Sequence, residues 1–314
     1  WLDSVGVSKL DLTAPLDSQL VIMSVNAGGL ADKLHKLMAL LFHIEPDVVL
    51  IQEAWTRFDP ASLSGAPFHV EVTEPYDGGG LITLIHRRHK GSGRPQVKRG
   101  RHHLCVSVQT TPKSVLSVAN VHLPPKHSMD QRHEVVQAVA AFARASSGIQ
   151  ILGGDLNESL GSASKSNSWL GRALRDPTQW GAFRCPYQPG VPTNYVPNKG
   201  GGCSARELDW VFVGATTPTT GAARCTLPGL STHRSLVCTL DLAPGYMVPA
   251  DPKGGKLRFA NINGTDLEDA ASVAALAFWW GERLDLSVDQ QFQYYWEVCA
   301  SVLPSARQAF GLSG

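Results

Sequence analysis

The apolar residues of this chain come in short runs, each the length of one strand, and most of them stop at a polar residue. Gln19–Val25 (QLVIMSV) leads into Asn26, Val48–Gln52 (VVLIQ) into Glu53, and the run from Ser114 into His122. Ile149–Leu152 leads through Gly-Gly to Asp155 and Asn157, Asp209 opens the run DWVFV, and His233 stands just before SLVCTL. Gly79–His86, Leu104–Gln109, Leu208–Val213 and Ser235–Leu242 read as strands on the same grounds of β-branched content and flanking turn residues. A membrane-spanning helix needs about 18 consecutive apolar residues. Even the run Val273–Trp280 is far shorter, so no membrane partner is expected.

Helical spacing appears between some of these runs. Leu34, Leu37, Met38 and Leu41 recur at helical intervals within Leu30–Phe42, and Pro46 closes that segment. Asp130–Ala145 reads as a second helix, with Asp130 as its N-cap. Strand-helix-strand units mixed with hairpins predict an α/β domain built on mixed sheets. With 43% hydrophobic and 18% charged residues, the chain can bury a full core. The strand pattern stops near Leu242. Ala243–Lys256 carries three Pro and three Gly and reads as a linker. The division expected is therefore a first, strand-rich domain at 1–243, a linker at 244–256 and a helical extension at 257–314. That extension, with helices at 266–278 and 285–303, holds Phe278, Trp279, Trp280, Tyr294, Tyr295 and Trp296. Packing on the main domain and service as a docking or nucleic-acid surface are both open readings of this aromatic set.

Lys+Arg number 28 against 27 Asp+Glu, a net charge of +1, which excludes a globally basic nucleic-acid binder but not a local basic patch. The six cysteines are too sparse for a disulfide scaffold, and no CxxC pair suggests zinc. Cys105 and Cys238 fall in strand patterns and read as buried thiols; a Cys185–Cys203 bridge is left open. A chain that starts at Trp1 fits either a processed leader or a segment of a longer polypeptide.

Polar residues at strand ends are where sites assemble in α/β folds. Asn26, Glu53, His122, Asp155, Asn157, Asp209 and His233 together suit metal-assisted attack on a phosphoester. Glu53 offers a hard oxygen to Mg²⁺, with amide and water oxygens completing the shell. Asp155 suits the handling of an attacking water, and His233, held by Asp209, suits a phosphate oxygen. Asn26 and Asn157 suit phosphate oxygens or the positioning of metal ligands, and His122 a second donor near the leaving group.

The blocks SVNAGG, VVLIQEAW, GGGLITLIHR, VANVHLPP, ILGGDLNES, LDWVFV and STHRSLVCTL, in this order over residues 20–242, resemble the endonuclease/exonuclease/phosphatase superfamily. The resemblance implies a four-layer α/β sandwich: two mixed β-sheets face to face, with helices outside. It implies Mg²⁺-dependent hydrolysis, with Mn²⁺ able to substitute. Asn26 and Glu53 match the metal-site pair, Asp155 and Asn157 the catalytic Asp and its Asn, and Asp209 and His233 the Asp–His pair. His122 matches a position held by His or Tyr. One block departs: where the family has Ser-Asp-His, this chain reads Ser231-Thr232-His233. The missing carboxylate implies weaker metal binding or a catalytically weakened domain.

DNA is the expected partner. His86–His103 holds seven Arg/Lys, four His and no acid, and reads as a basic hairpin or loop making phosphate contacts through Arg87, Arg88, Lys98, Arg99 and Arg101. Asn194, Tyr195 and Arg206 precede the Asp209 block and are expected to face the duplex. The opening Asn26-Ala-Gly-Gly-Leu resembles endonuclease domains of non-LTR retrotransposons. That likeness implies a polyprotein that includes a reverse transcriptase, and a nuclear or intracellular setting. A phosphatase or lipid phosphodiesterase, a secreted nuclease and a non-catalytic DNA-binding domain are the competing readings.

Overall fold

In the computed structural model the described residues are 19–31, 33–55, 68–74, 79–89, 91, 93–111, 114–123, 129–159, 183–198, 203–227 and 229–243. The expected linker at 244–256, the extension at 257–314 and its aromatic set lie outside them, as does Cys299. Packing divides the chain into two units. One contains residues 32–45 and, among its described elements, the helix α1 (Leu34–Ile44). α1 buries Leu37, Leu40 and Leu41, and ends as Glu45 turns left-handed with its N–H on Leu41 O at 2.9 Å, just before Pro46.

Among the described residues, the other unit holds the strands and the helix α2 (Met129–Ala145). Its first sheet contains β1 (Gln19–Asn26), β2 (Val48–Gln52), β3 (Phe68–Val72), β4 (Ile82–His86), β13 (Thr219–Leu227) and β14 (Ser235–Leu242), in the order β13-β14-β1-β2-β4-β3. Its second contains β5 (Gln96–Arg99), β6 (His103–Thr111), β7 (Ser114–His122), β8 (Ile149–Asp155), β9 (Phe183–Arg184) and β12 (Asp209–Gly214), in the order β5-β6-β7-β8-β12-β9. Each sheet has one parallel pair at its centre, β1/β2 and β7/β8, flanked by antiparallel neighbours. A two-stranded ribbon, β10 (Asn194–Pro197) with β11 (Cys203–Arg206), stands apart from both.

Alternation builds the sandwich. Leu20, Ile22, Val48 and Leu50 from one sheet and Leu104, Val106, Val118, Ile151, Val211 and Val213 from the other share one core between the sheets. The alternate residues of the second sheet, among them Cys105, Leu152, Trp210 and Phe212, pack with Val135, Val136, Val139 and Phe142 of α2 in a second core. Each such side chain contributes roughly 1.5–3 kcal/mol on burial. The chain thus has the expected α/β sandwich of two mixed sheets, with α2 as an outer helical layer. Asp130 lies in the first turn of α2 rather than at its cap. Cys185 and Cys203 are both free thiols, so the bridge left open is not formed. Among the described residues no helix is long and apolar enough to cross a membrane.

Candidate active site

Parallel pairing puts the carboxyl ends of β1, β2, β7 and β8 at one edge of the sandwich. Asn26 ends β1 and Glu53 follows β2, while His122 and Asp155 end β7 and β8 directly opposite each other. β12 runs the other way, so its first residue, Asp209, pairs with Asp155 from the other side. The row His122–Asp155–Asp209 therefore crosses three strands, about 10 Å at the usual strand spacing. Glycine makes this row possible. Gly154 has φ +131, and a Cβ there would lie 1.9 Å from Val121 O; a Cβ on Gly153 would lie 2.6 Å from Leu50 Cδ1. Any larger residue would force β8 away from β7 or from the facing sheet.

Asn26 joins the sheets. Its Nδ2 donates to Glu53 Oε1 and to Asp155 Oδ2, both at 2.9 Å, while its Oδ1 accepts from Gly28 N at 3.1 Å. The amide nitrogen, not the oxygen, faces the carboxylates, so Asn26 holds the two acids together. Candidate cation donors are Glu53, His122 and Asp155, whose ligand atoms lie within 4.8 Å of one another. The two carboxylates offer hard oxygens that suit Mg²⁺ or Mn²⁺. His122 Nε2 lies 3.6 Å from Glu53 Oε1. Asn157, at φ 50, donates its backbone N–H to Asp155 Oδ1 at 2.8 Å and its Nδ2 to Leu123 O at 2.9 Å, tying the β8 end to the β7 end.

His233 Nδ1 meets Asp209 Oδ2 at 2.8 Å, which leaves Nε2 directed toward Asp155 Oδ2 at 3.8 Å. Burial alone would lower the His233 pKa. The hydrogen bond to Asp209 and the charges of Asp209, Asp155 and Glu53 outweigh it and raise it to about 9. At neutral pH the ring is thus an imidazolium, with both N–H groups as donors. Burial pushes the Asp209 carboxyl up, while the His233 hydrogen bond pulls it back. Its backbone N–H is bonded to Thr193 Oγ1 at 3.0 Å. Ser231 Oγ donates to Asn26 O at 2.7 Å and accepts from His233 N at 3.2 Å, fastening the His233 turn to β1.

A sequence profile described as the Endonuclease/Exonuclease/phosphatase family matches residues 23–233. The chain belongs to this family. The family is hydrolytic, comprising metal-dependent nucleases and phosphatases. No curated protein matches the chain in sequence. Among solved structures, an AP endonuclease from Leishmania major matches with TM-score 0.56 at 16% identity, over 72% of this chain and 89% of that one. The endonuclease domain of TRAS1, a telomere-specific non-LTR retrotransposon, matches with TM-score 0.52 at 14% identity, over 71% and 99%. A 3′ phosphatase from Neisseria, bound to product DNA hairpin, matches with TM-score 0.51 at 15% identity, over 71% and 99%. At these identities the likeness is one of fold.

The seven strand-end residues come together as one cluster; the basic segment of this family member does not. Arg87 and Arg88, in a short 3-10 turn after β4, lie at the opposite edge of the sandwich, about 15 Å away along a five-residue strand. Arg88 is taken up there by the buried Asp47, which also accepts from His89 Nε2 at 2.6 Å, and Arg87 Nε donates to Phe68 O at 3.2 Å. The expectation that the whole segment projects as one basic hairpin or loop is corrected accordingly: β4 runs antiparallel to β2, so its end points away from Glu53. Lys98, Arg99 and Arg101, at the β5–β6 turn, are exposed at the near edge, where His122 N bonds to His102 O. Arg99 pairs with Glu71 and donates to Val72 O, bracing β5 against β3. Burial and the neighbouring His122 hold His102 down at about 4, so its ring adds no charge at neutral pH.

Asn194 is buried rather than open to solvent, with Nδ2 on Thr232 Oγ1 at 3.3 Å and a bridge to His233. Tyr195 is half-buried with Arg234 over its ring, and Arg206 is exposed on the ribbon. Sequence reasoning missed the supports: Thr193 and Ser231, the Gln52–Asn120 bond at 2.9 Å that links the sheets below the site, and the buried Arg132–Glu158 pair at 2.6 Å. A polar residue inside an apolar run, Gln52 in VVLIQ or Asn120 in SVANV, is the signal that marks the first pair. Arg132 carries no such mark.

Proposed function

We propose that this chain is a cation-dependent endonuclease that nicks DNA. The observation that carries the reading is the bridge from Asn26 Nδ2 to both Glu53 and Asp155, with the His233 ring beside the same Asp155 oxygen. Mg²⁺ held by Glu53, with His122 and Asp155 as further donors, would neutralise charge on the phosphate and on the departing oxygen. Asp155, held in place by its two N–H donors, orients and deprotonates the attacking water. His233, fixed by Asp209, donates Nε2–H to a non-bridging phosphate oxygen. Asn26 and Asn157 act by holding Glu53 and Asp155 in place.

The finer reading is the endonuclease part of a non-LTR retrotransposon polyprotein, supported by the Asn26-Ala-Gly-Gly-Leu opening and the fold likeness to the TRAS1 domain. Residues 1–243 are then the catalytic domain, and 244–256 and 257–314 a linker and a helical connector toward a reverse transcriptase, acting in the nucleus. The test is nicking of supercoiled plasmid with Mg²⁺, with EDTA and with Asp155→Ala. Nicks with 3′-hydroxyl and 5′-phosphate ends are expected in the first case alone. Full activity in EDTA, or cleavage of inositol phosphates and not of plasmid, would overturn the reading.

A further inference from the structure

Two residues beyond Glu53, the indole of Trp55 is 51% exposed. Glycines pack against it: the backbone N–H of Trp55 donates to Gly79 O at 2.8 Å, and a Cβ on Gly29 would come within 3.1 Å of its ring Cε3. Its backbone has φ 58 and that of Glu53 has φ 52, left-handed values that an L residue adopts only against steric strain. Four hydrogen bonds hold this corner: Gly29 N to Glu53 O, Leu30 N to Ala54 O, Ala54 N to Gly80 O and Trp55 N to Gly79 O, at 2.8, 3.1, 3.2 and 2.8 Å. Strain that is held in place this firmly is characteristic of functional positions. Here one corner supplies both an acid for the site and an open aromatic ring at its rim.

We propose that Trp55 is a stacking platform for an unpaired base of the DNA strand, next to the phosphate handled by Glu53 and Asp155. Two residues span at most about 7 Å of backbone, so Trp55 stands within one or two nucleotides of that phosphate. Gly29 backs one side of the ring, and the 51% exposure of Trp55 leaves the rest of it open to a base. In an intact duplex each base face is covered by its neighbours, so an indole can stack only on a base that is unpaired or turned out. The exposed Lys98 and Arg101 on the same edge suit the polyanion that carries such a base. The inference rests on the DNA-cleaving reading above, and adds that the preferred substrate has an unpaired nucleotide beside the cut.

The test is fluorescence anisotropy in EDTA with three fluorescein-labelled DNAs: a perfect duplex, the same duplex with two unpaired nucleotides, and a single strand. Base-aromatic stacking is worth about 1–3 kcal/mol, or roughly 5- to 150-fold. Trp55→Ala is expected to lose affinity on that scale for the unpaired and single-stranded DNAs, and to bind the duplex within about twofold of wild type. Trp55→Phe should recover most of the loss, and thermal melting should show Trp55→Ala folded. Equal losses on all three DNAs, no loss on any, or no DNA binding by wild type would overturn the proposal. Plasmid nicking by wild type in Mg²⁺ separates the two readings. Nicking without a Trp55 effect sinks only the platform; Trp55-dependent binding without nicking sinks only the nuclease.

Discussion

Replacing Asp209 by Asn keeps the size of the side chain but removes the charge that holds the His233 proton. The pKa of His233 rises from 6.5 to about 9, so the two protonation states differ by on the order of 3 kcal/mol in the folded protein. Burial opposes this rise, and the hydrogen bond and charge of Asp209 do most to overcome it. In Asp209→Asn, burial is left opposed only by the more distant Asp155 and Glu53. The pKa should fall back toward the ordinary value, and at pH 7.5 most His233 rings should be neutral. Loss of a charged donor to the phosphate should lower turnover by roughly 10²–10³-fold. The stability that His233 contributes follows the same shift. A raised pKa stabilises fully below 6.5, and that share is lost as pH rises through about 9. The wild type should therefore lose stability on the alkaline side over this window, and Asp209→Asn should lose less. The assay is a His233 Cε1–H NMR titration in both proteins, with urea unfolding at pH 6.5 and 9. A His233 titration that stays near 9 in Asp209→Asn would refute the reasoning.

Thr232→Asp puts a carboxylate beside His233, where Thr232 Oγ1 now only accepts from Asn194. Half-maximal activation should move to lower Mg²⁺, and superimposable titrations would show that position 232 does not reach the cation. Neutralising Lys98 and Arg101 together should reduce the salt slope of DNA binding by about 0.9 for each lost phosphate contact, while Arg87→Ala at the far edge should leave it unchanged. Equal slopes in both variants would return the near-edge residues to ordinary surface. Arg132→Met leaves the buried Glu158 carboxyl without its Arg132 partner, and should cost about 3–5 kcal/mol in urea unfolding; adding Glu158→Leu should restore most of it. An additive double variant would mean that the pair is not coupled.

The strands that a single sequence reveals are those buried on both faces. β1, β2, β7, β8 and β12 are nearly continuous in apolar residues, and their terminal polar residues stand out against that background. The strands it hides are at edges: β3, β5, β11 and β13 are largely half-buried or exposed and carry mixed residues, so no period separates them from loops. The site was legible for a related reason. Strand direction, once inferred, sends Asn26, Glu53, His122 and Asp155 to one edge. The basic segment misled because composition carries no direction: the fold of β4 and β5 sends its two halves to opposite ends. Asn194 was misplaced because a polar residue on a short ribbon reads as exposed until its bridge to His233 is seen.

The fastening of the His233 turn to β1 has a consequence for when the candidate site is complete. Ser231 reaches back 205 residues to Asn26, and Asn26 reaches forward 129 residues to Asp155. Contacts of such long range form late, since long loops must close before they are rewarded. A nascent chain that has emerged from the ribosome through β8 holds Glu53 and Asp155 but neither Asp209 nor His233. It has also left the β14 side of β1 unpaired. On the proposed reading, hydrolytic capacity arrives with β14, when synthesis of this fold is nearly finished, and a chain interrupted earlier is expected to be inert.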